Sequence, residues 1–408
     1  MTTADISRIA VDAPARKLTV GTLALLAGIA AIGALSTNII LPSFPSLAAQ
    51  FGVESRALGV TLSSFFIAFA LGQLVVGPLS DRFGRRRLVI GGMVVFLAGT
   101  VIGGLATSLD MLVFGRVVQG LGVCAASVLS RAIARDLFDG AALAKALSLV
   151  MIAMAAAPGF SPLLGSGLDW AFGWRATFVL VGLAGVVLTA GYMISMGETH
   201  PADRRAAHSV GSVARAYGGL FVDGRFILPA VAVSLIIGGL YAFFGASPAI
   251  LVDGMGLSAV QLGLFFAATV FVVFGAGFAA PRLAAWLGAP RAALTGGVIA
   301  LIGGAALLAV SESPGIVNFS AATVAFLLGM GIANPLGTAM TLQPFGAKAG
   351  VASALLGFLQ MASAALGTAL TAGLEMPPPV ALGLLMTGGS AVGVMLLLVR
   401  LRLRETPE

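Results

Sequence analysis

The side chains able to do chemistry inside apolar surroundings are few. Arg116 interrupts the otherwise uncharged run 111–130, and Asn38, Gln73, Gln119, Tyr241, Asn334 and Gln360 lie in apolar runs of their own. A guanidinium buried there is a counter-charge for an anion. An amide donates and accepts hydrogen bonds but does not titrate near neutral pH. All 16 acidic residues fall in tails, loops or helix ends, so no carboxylate stands at mid-depth to exchange a proton. Two histidines, His200 and His208, and the single Cys124 are too few for a zinc site and exclude an intrachain disulfide. Neither GxxxxGK[ST] nor HExxH occurs. The expectation is no catalytic set, no metal, no cofactor and no enzyme.

These polar points need elements to hold them, and the charge map supplies the elements. The chain has 408 residues, 59% hydrophobic and 10% charged. A soluble domain carries about 25% charged residues, so an ordinary water-facing surface is excluded. Eleven charge-free runs of 20 or more residues occur, among them 18–53, 57–80, 146–168, 226–252 and 349–374, and 111–130 makes a twelfth. About 20 apolar residues cross the hydrocarbon of a bilayer. The 55 glycines suit helices packed closely in lipid. The first run is too long for a signal peptide, whose apolar region has ~7–15 residues. The expected fold is all-α and membrane-integral, with twelve helices in two six-helix bundles.

Alternate loops differ sharply in charge. Twenty Lys and Arg fall on one side and two, Arg56 and Arg175, on the other, which puts both termini in the cytoplasm. The polar stretch 198–225 divides the chain. The expected organisation is a tail 1–17, a bundle 18–197, a cytoplasmic linker 198–225, a second bundle 226–400 and a tail 401–408. Two equal bundles in one chain favour a carrier with a duplicated architecture. The basic balance reads as the inside-loop bias, with no nucleic-acid partner. Bilayer lipid and a small-molecule substrate are the expected partners, and the chain reads as a monomer.

Three motifs narrow this. The turn after span two reads Gly77-Pro78-Leu79-Ser80-Asp81-Arg82-Phe83-Gly84-Arg85-Arg86-Arg87. A basic stop signal explains its arginines, but not Asp81 or the flanking glycines. Span four holds Arg116-Val117-Val118-Gln119-Gly120. Arg116 is six residues past Asp110, ~9 Å along a helix, within reach of snorkelling to the interface; its other reading is a functional group facing a cavity. Span five holds Ala157-Pro158-Gly159-Phe160-Ser161-Pro162-Leu163-Leu164-Gly165. Two prolines four apart free backbone carbonyls and favour a bend.

On these residues the chain resembles the major facilitator superfamily, and within it the twelve-span drug exporters of the Bcr/CflA type. The likeness extends over Leu41-Pro42-Ser43-Phe44-Pro45, Arg131 to Leu137, Gly173-Trp174-Arg175, Ala246-Ser247-Pro248 and Ala349 to Gly357. The resemblance implies a conformational latch from Gly77, Asp81, Arg82, Gly84, Arg85, Arg86 and Asp136. Asp81 would face the start of span eleven near Gly350, and Arg85 would pair with Asp136. It implies an antiporter motif at Pro158, Ser161, Pro162 and Gly165, facing span eight and biasing the carrier toward export. It also implies proton antiport through an Asp in a T-D-x-Y-L-P string. This chain reads Thr37-Asn38-Ile39-Ile40-Leu41-Pro42, so the titrating group is missing.

The expectation is therefore a bacterial-type inner-membrane transporter for multidrug or antibiotic efflux by alternating access, with protons as the family's usual coupling partner. The alternative is a dedicated exporter or facilitator of an anionic metabolite or antibiotic, with Arg116 as counter-charge. Candidate substrate or coupling residues are Asn38, Arg116, Gln119, Tyr241, Phe244, Asn334 and Gln360. Gln73 and Met361 are weaker candidates. Helix-to-helix packing is the competing reading for each.

Overall fold

A computed structural model describes residues 19–205, 210–312 and 315–405. The expected tail 1–17, residues 206–209 of the expected linker, Ser313 and the last three residues lie outside them. Among the described residues there is no strand. The α-helices are α1 (Val20–Asn38), α2 (Phe44–Phe51), α3 (Gly59–Phe83), α4 (Arg85–Gly104), α5 (Leu109–Leu137), α6 (Gly140–Phe172) and α7 (Arg175–Ser195). Then come α8 (Val210–Val222), α9 (Gly224–Ser247), α10 (Ala259–Leu287), α11 (Ala289–Ala309), α12 (Ile316–Leu342), α13 (Ala349–Gly373) and α14 (Pro378–Glu405).

The helix ends follow local chemistry. Thr19 and Ser108 accept from backbone N–H groups in the first turns of α1 and α5. Ser258 and Gln261 form a reciprocal capping box on α10. Pro42 lacks the N–H that would prolong α1, and the chain passes through a 3₁₀ turn, Leu41–Ser43, into α2.

Among the described residues, twelve helical stretches of 20 to 33 residues are long and apolar enough to cross a membrane. Their outward faces stay apolar: Trp286 is 89% exposed and Ile194 88%. Such surface would drive a water-soluble chain to aggregate and is stable against hydrocarbon. The membrane helices α1 and α3–α7 form one six-helix bundle and α9–α14 the other, with α8 between them in sequence.

The bundles repeat each other's packing. A Cβ on Gly99 of α4 would strike the backbone of α5 at Gly115 O and Gln119 N. A Cβ on Gly303 of α11 would strike the backbone of α12 at Ala322 O and Phe326 N. Each glycine lets two backbones touch where a methyl group would hold them apart. By this match Arg116 and Gln119 of the first bundle correspond to Thr323 and Phe326 of the second.

The close approaches between the bundles run from one end to about the middle of the helices. The linker end carries the α3–α4 and α5–α6 turns and the segment between α7 and α9; the far end is opposite. At the far end Arg56 Nη1 donates to Leu374 O at 3.2 Å. A Cβ on Gly59 would lie 3.0 Å from Ala372 Cβ, and one on Gly263 of α10 would lie 2.9 Å from Leu163 Cα of α6. Along the α3–α13 contact, Gln73 meets Gly357 and Leu74 packs on the cluster that holds Leu355 and Leu356. Beyond it, a Cβ at Gly77, Gly350, Gly275 or Gly277 would meet no atom within 4 Å. The α3/α13 and α6/α10 pairs therefore part toward the linker end.

Candidate functional site

Arg116 is fully buried. Its Nη1 donates to Ser36 O at 2.9 Å and to Gln119 Oε1 at 2.7 Å. Its guanidinium lies over Phe65, 4.6 Å from the ring centroid. Ser36 stands in the last turn of α1, whose carbonyls carry the negative end of the helix dipole. A centrally placed charge costs ~2.5–3.5 kcal/mol even on insertion scales. A desolvated cation–π contact returns up to ~2 kcal/mol, and the carbonyl and amide oxygens offset more. Every partner is neutral. Nε and Nη2 have no hydrogen-bond partner. Those two atoms form one complete edge of the guanidinium fork.

Gln119 extends the chain of contacts. Its Nε2 donates to Thr100 Oγ1 of α4 at 2.8 Å, so α1, α5 and α4 are joined through Ser36, Arg116, Gln119 and Thr100. Asn38 is buried two residues beyond Ser36, but its Nδ2 turns back to Ala34 O at 2.9 Å. The amide serves its own helix. The buried site puts Arg116 beyond an interface-seeking pose, and the snorkelling reading is dropped.

The aromatic candidates gather across the bundle boundary. Tyr241 of α9 packs on Phe66 of α3 with centroids 4.6 Å apart. Phe244 lies 6.1 Å from Tyr241 and 5.3 Å from Phe266 of α10. Asn334 and Gln360 meet between α12 and α13, Gln360 Nε2 donating to Asn334 Oδ1 at 3.4 Å. Met361 is half-buried beside them in sequence. The polar group around Arg116 and the Asn334–Gln360 pair stand on different bundles.

In the α3–α4 turn, Arg85 is the hub. Its side chain donates to Asp81 at 2.6 Å, to Asp136 at 3.3 Å and to Ser80. Gly84 has φ +91°, and a Cβ there would strike the Glu198 carboxylate. That carboxylate accepts from Arg85 N at 2.8 Å and Arg86 N at 3.3 Å, capping α4 from a distant part of the chain. Arg86 Nη2 donates to Met193 O, and Arg82 lies over Phe83. Thr199 donates to Asp136 at 3.1 Å. Asp81 is engaged by Arg85 inside the first bundle. The register set by Gln73 and Gly357 brings Asp81, eight residues on, level with Gly350, seven residues back, but here the helix ends have separated.

The span-five motif lies in α6, which runs helical through both Pro158 and Pro162. A Cβ on Gly159 would strike Val270 of α10, and one on Gly165 would strike Ile39 O at the end of α1. Pro162 and Ser161 are buried, and Ser161 Oγ has no hydrogen-bond partner. The motif thus packs against both span eight and the broken end of span one.

Sequence reasoning missed Ser36, Phe65, Thr100 and Glu198. Three act through a backbone carbonyl, a ring face or a common hydroxyl, none with a spacing signature. Glu198 had a signal: it is the first acidic residue after span six.

The comparisons agree with this geometry. A family profile described as Major Facilitator Superfamily matches residues 26–368. Multidrug resistance protein D of Escherichia coli strain K12 is 28% identical over 380 residues, covering 91% of this chain and 93% of that protein. The uncharacterized MFS-type transporter YdgK of Bacillus subtilis is 29% identical over 344 residues, covering 83% and 85%. The crystal structure of the peptide transporter POT in complex with sulfate shares the fold, with a TM-score of 0.73 at 14% identity over 93% of this chain and 94% of that one. A membrane transporter with twelve membrane-length helical stretches among its described residues, carrying the packing and the α3–α4 turn described above, this chain belongs to the major facilitator superfamily.

Proposed function

We propose that this chain exports small organic molecules by alternating access, as a drug or antibiotic efflux carrier of the Bcr/CflA type, with both termini and the linker 198–225 in the cytoplasm. One observation carries the reading: α3/α13 and α6/α10 meet at the far end and part at the linker end. A cleft open to one side is one state of such a carrier. The level match of Asp81 with Gly350 supports a second state, in which a carboxylate meets the N-terminus of α13. The paired prolines of α6 and the relative named a multidrug resistance protein favour export. Bundles at 18–197 and 226–400, working as the rocking halves, belong to the same proposal. Inverted membrane vesicles should accumulate substrate against a gradient while right-side-out vesicles do not. Accumulation only in right-side-out vesicles would make the chain an importer.

A second reading concerns the substrate. The Nε/Nη2 edge of Arg116 matches a carboxylate or phosphate, which takes both atoms of a guanidinium edge together. We read Arg116 as the counter-charge for an anionic substrate when the aromatic layer of Phe65, Phe66 and Tyr241 moves. Arg116→Ala should then weaken an anionic substrate about 10- to 150-fold, equivalent to ~1.5–3 kcal/mol for a charged hydrogen bond, and spare a neutral one. Equal loss of both would return Arg116 to a packing role.

A further inference from the structure

The linker helix α8 packs on α3, α9 and α13, and so touches both bundles. Tyr217 Oη donates to Leu74 O of α3 at 3.0 Å, and the ring joins an apolar cluster with Leu220, Phe226, Leu355 and Leu356. Leu74 is no ordinary acceptor. In an α-helix its carbonyl would receive the N–H of residue 78, and residue 78 is Pro78, which has none. A carbonyl left without its partner away from water is costly. Tyr217 supplies the missing donor from outside the helix. Burial pushes its hydroxyl up to about 12, so it stays protonated and able to donate at working pH.

The bond is made where α3 and α13 begin to part. Leu74 follows Gln73, whose side chain meets Gly357 of α13, while Leu355 and Leu356 lie just linker-ward of Gly357. Tyr217 thus bridges α3 and α13 at the level beyond which the two helices must approach for Asp81 to reach Gly350. We infer that Tyr217 is a positioning residue for the transport cycle: it wedges the linker end open, held by the Leu74 carbonyl that Pro78 leaves free. It acts on the balance between states and touches no substrate. The inference rests on the reading that the carrier alternates between two states.

The test uses the full chain in lipid nanodiscs with paired spin labels. Ala141→Cys with Leu287→Cys reports the linker end of α6/α10, and Phe172→Cys with Val260→Cys the far end, both on a Cys124→Ala background. Two distance populations at each end are expected in the parent. Tyr217→Phe keeps the ring and removes the donor, and it should shift the balance about two- to tenfold toward the linker-closed state, the range of one net hydrogen bond. The far-end pair should lengthen in the same proportion. Pro78→Ala gives Leu74 its helical donor, so on that background Tyr217→Phe should change nothing. Populations unchanged by Tyr217→Phe, a shift of the same size with Pro78→Ala, or a linker end that loosens with no far-end response would overturn the wedge while leaving alternation intact. A single distance at both ends of the parent would instead overturn alternating access, and the wedge with it.

Discussion

The rings of Phe66 and Tyr241, one from each bundle, meet edge-to-face at 61° with centroids 4.6 Å apart. Just beyond them toward the far end, a Cβ on Gly245 would already touch Leu62 and Thr368. The pair therefore floors the cleft on its closed side. An edge-to-face contact contributes ~0.5–1.5 kcal/mol beyond its area. Tyr241→Ala should make vesicles leak preloaded substrate several-fold faster, with Tyr241→Phe near the parent. Leak rates that match in the two variants would separate the ring from the gate.

Arg116 has only neutral partners, and Asn38 carries no proton to trade. Export should therefore survive dissipation of the pH gradient alone. Asn38→Asp should lower affinity for an anion and add a dependence on pH, because its charge competes for Arg116. Vesicle transport with and without a proton-exchanging ionophore decides the matter. Collapse of parent export would require a titrating group elsewhere.

The two members of the Asp81–Arg85 pair should behave differently on substitution. Asp81 keeps 37% of its side chain exposed and Arg85 only 11%. Asp81→Asn should cost under ~1 kcal/mol of stability, as exposed pairs do, while slowing transport through loss of the linker-closed contact. Arg85→Met removes the partner of both Asp81 and Asp136 and should lower the melting temperature clearly more. Thermal shift and transport measured side by side would reveal the reverse ranking.

Gly159 is where α6 lies against Val270 of α10. Gly159→Val should push the helices apart and reduce net efflux, since over-packing a tight contact costs ~1–3 kcal/mol. Val270→Ala should restore part of the activity. Failure of the second change to rescue would move the defect away from this contact. Pro158→Ala with Pro162→Ala should also impair export or make the carrier leaky; unchanged net efflux would remove the directional argument.

Topology has its own test, at two positions outside the described residues. A cysteine at Ser209 should be shielded from an impermeant thiol reagent in intact cells, and one at Ser313 should react. The opposite pattern would invert the assignment.

The twelve spans were legible because charge, Arg116 apart, keeps to the turns and the end portions of the helices: Asp110, Lys145 and Asp169 lie within a few residues of the helix ends. The functional interior was legible only where a residue type was out of place. Arg116 and Gln119 stood out in an apolar run, but the group that holds Arg116 is the Ser36 carbonyl, and every residue has a carbonyl. Phe65 is one of 25 phenylalanines, and nothing in the chain marks which ring lies under a cation. Asp81 bonded to Arg85 and apart from Gly350 reflects which end is open. On the alternating-access proposal two states of similar free energy share one sequence, so no pattern of residues selects between them.

The two bundles are held by different chemistry at equivalent places. Where the first has Arg116 and Gln119 bonded to Ser36 and Thr100, the second has Thr323, whose hydroxyl has no hydrogen-bond partner, and Phe326. In the same bundle Phe243, Phe244, Phe265, Phe266 and Phe319 form a continuous ring cluster. Directional bonds tolerate few replacements, whereas apolar rings exchange for other apolar groups of like volume at modest cost. On the efflux proposal, new recognition under selection by successive toxic compounds should therefore evolve in the second bundle while the first holds constant. A mutational scan of resistance should collect its gains in α9, α10 and α12 and spare Arg116, Gln119 and Thr100.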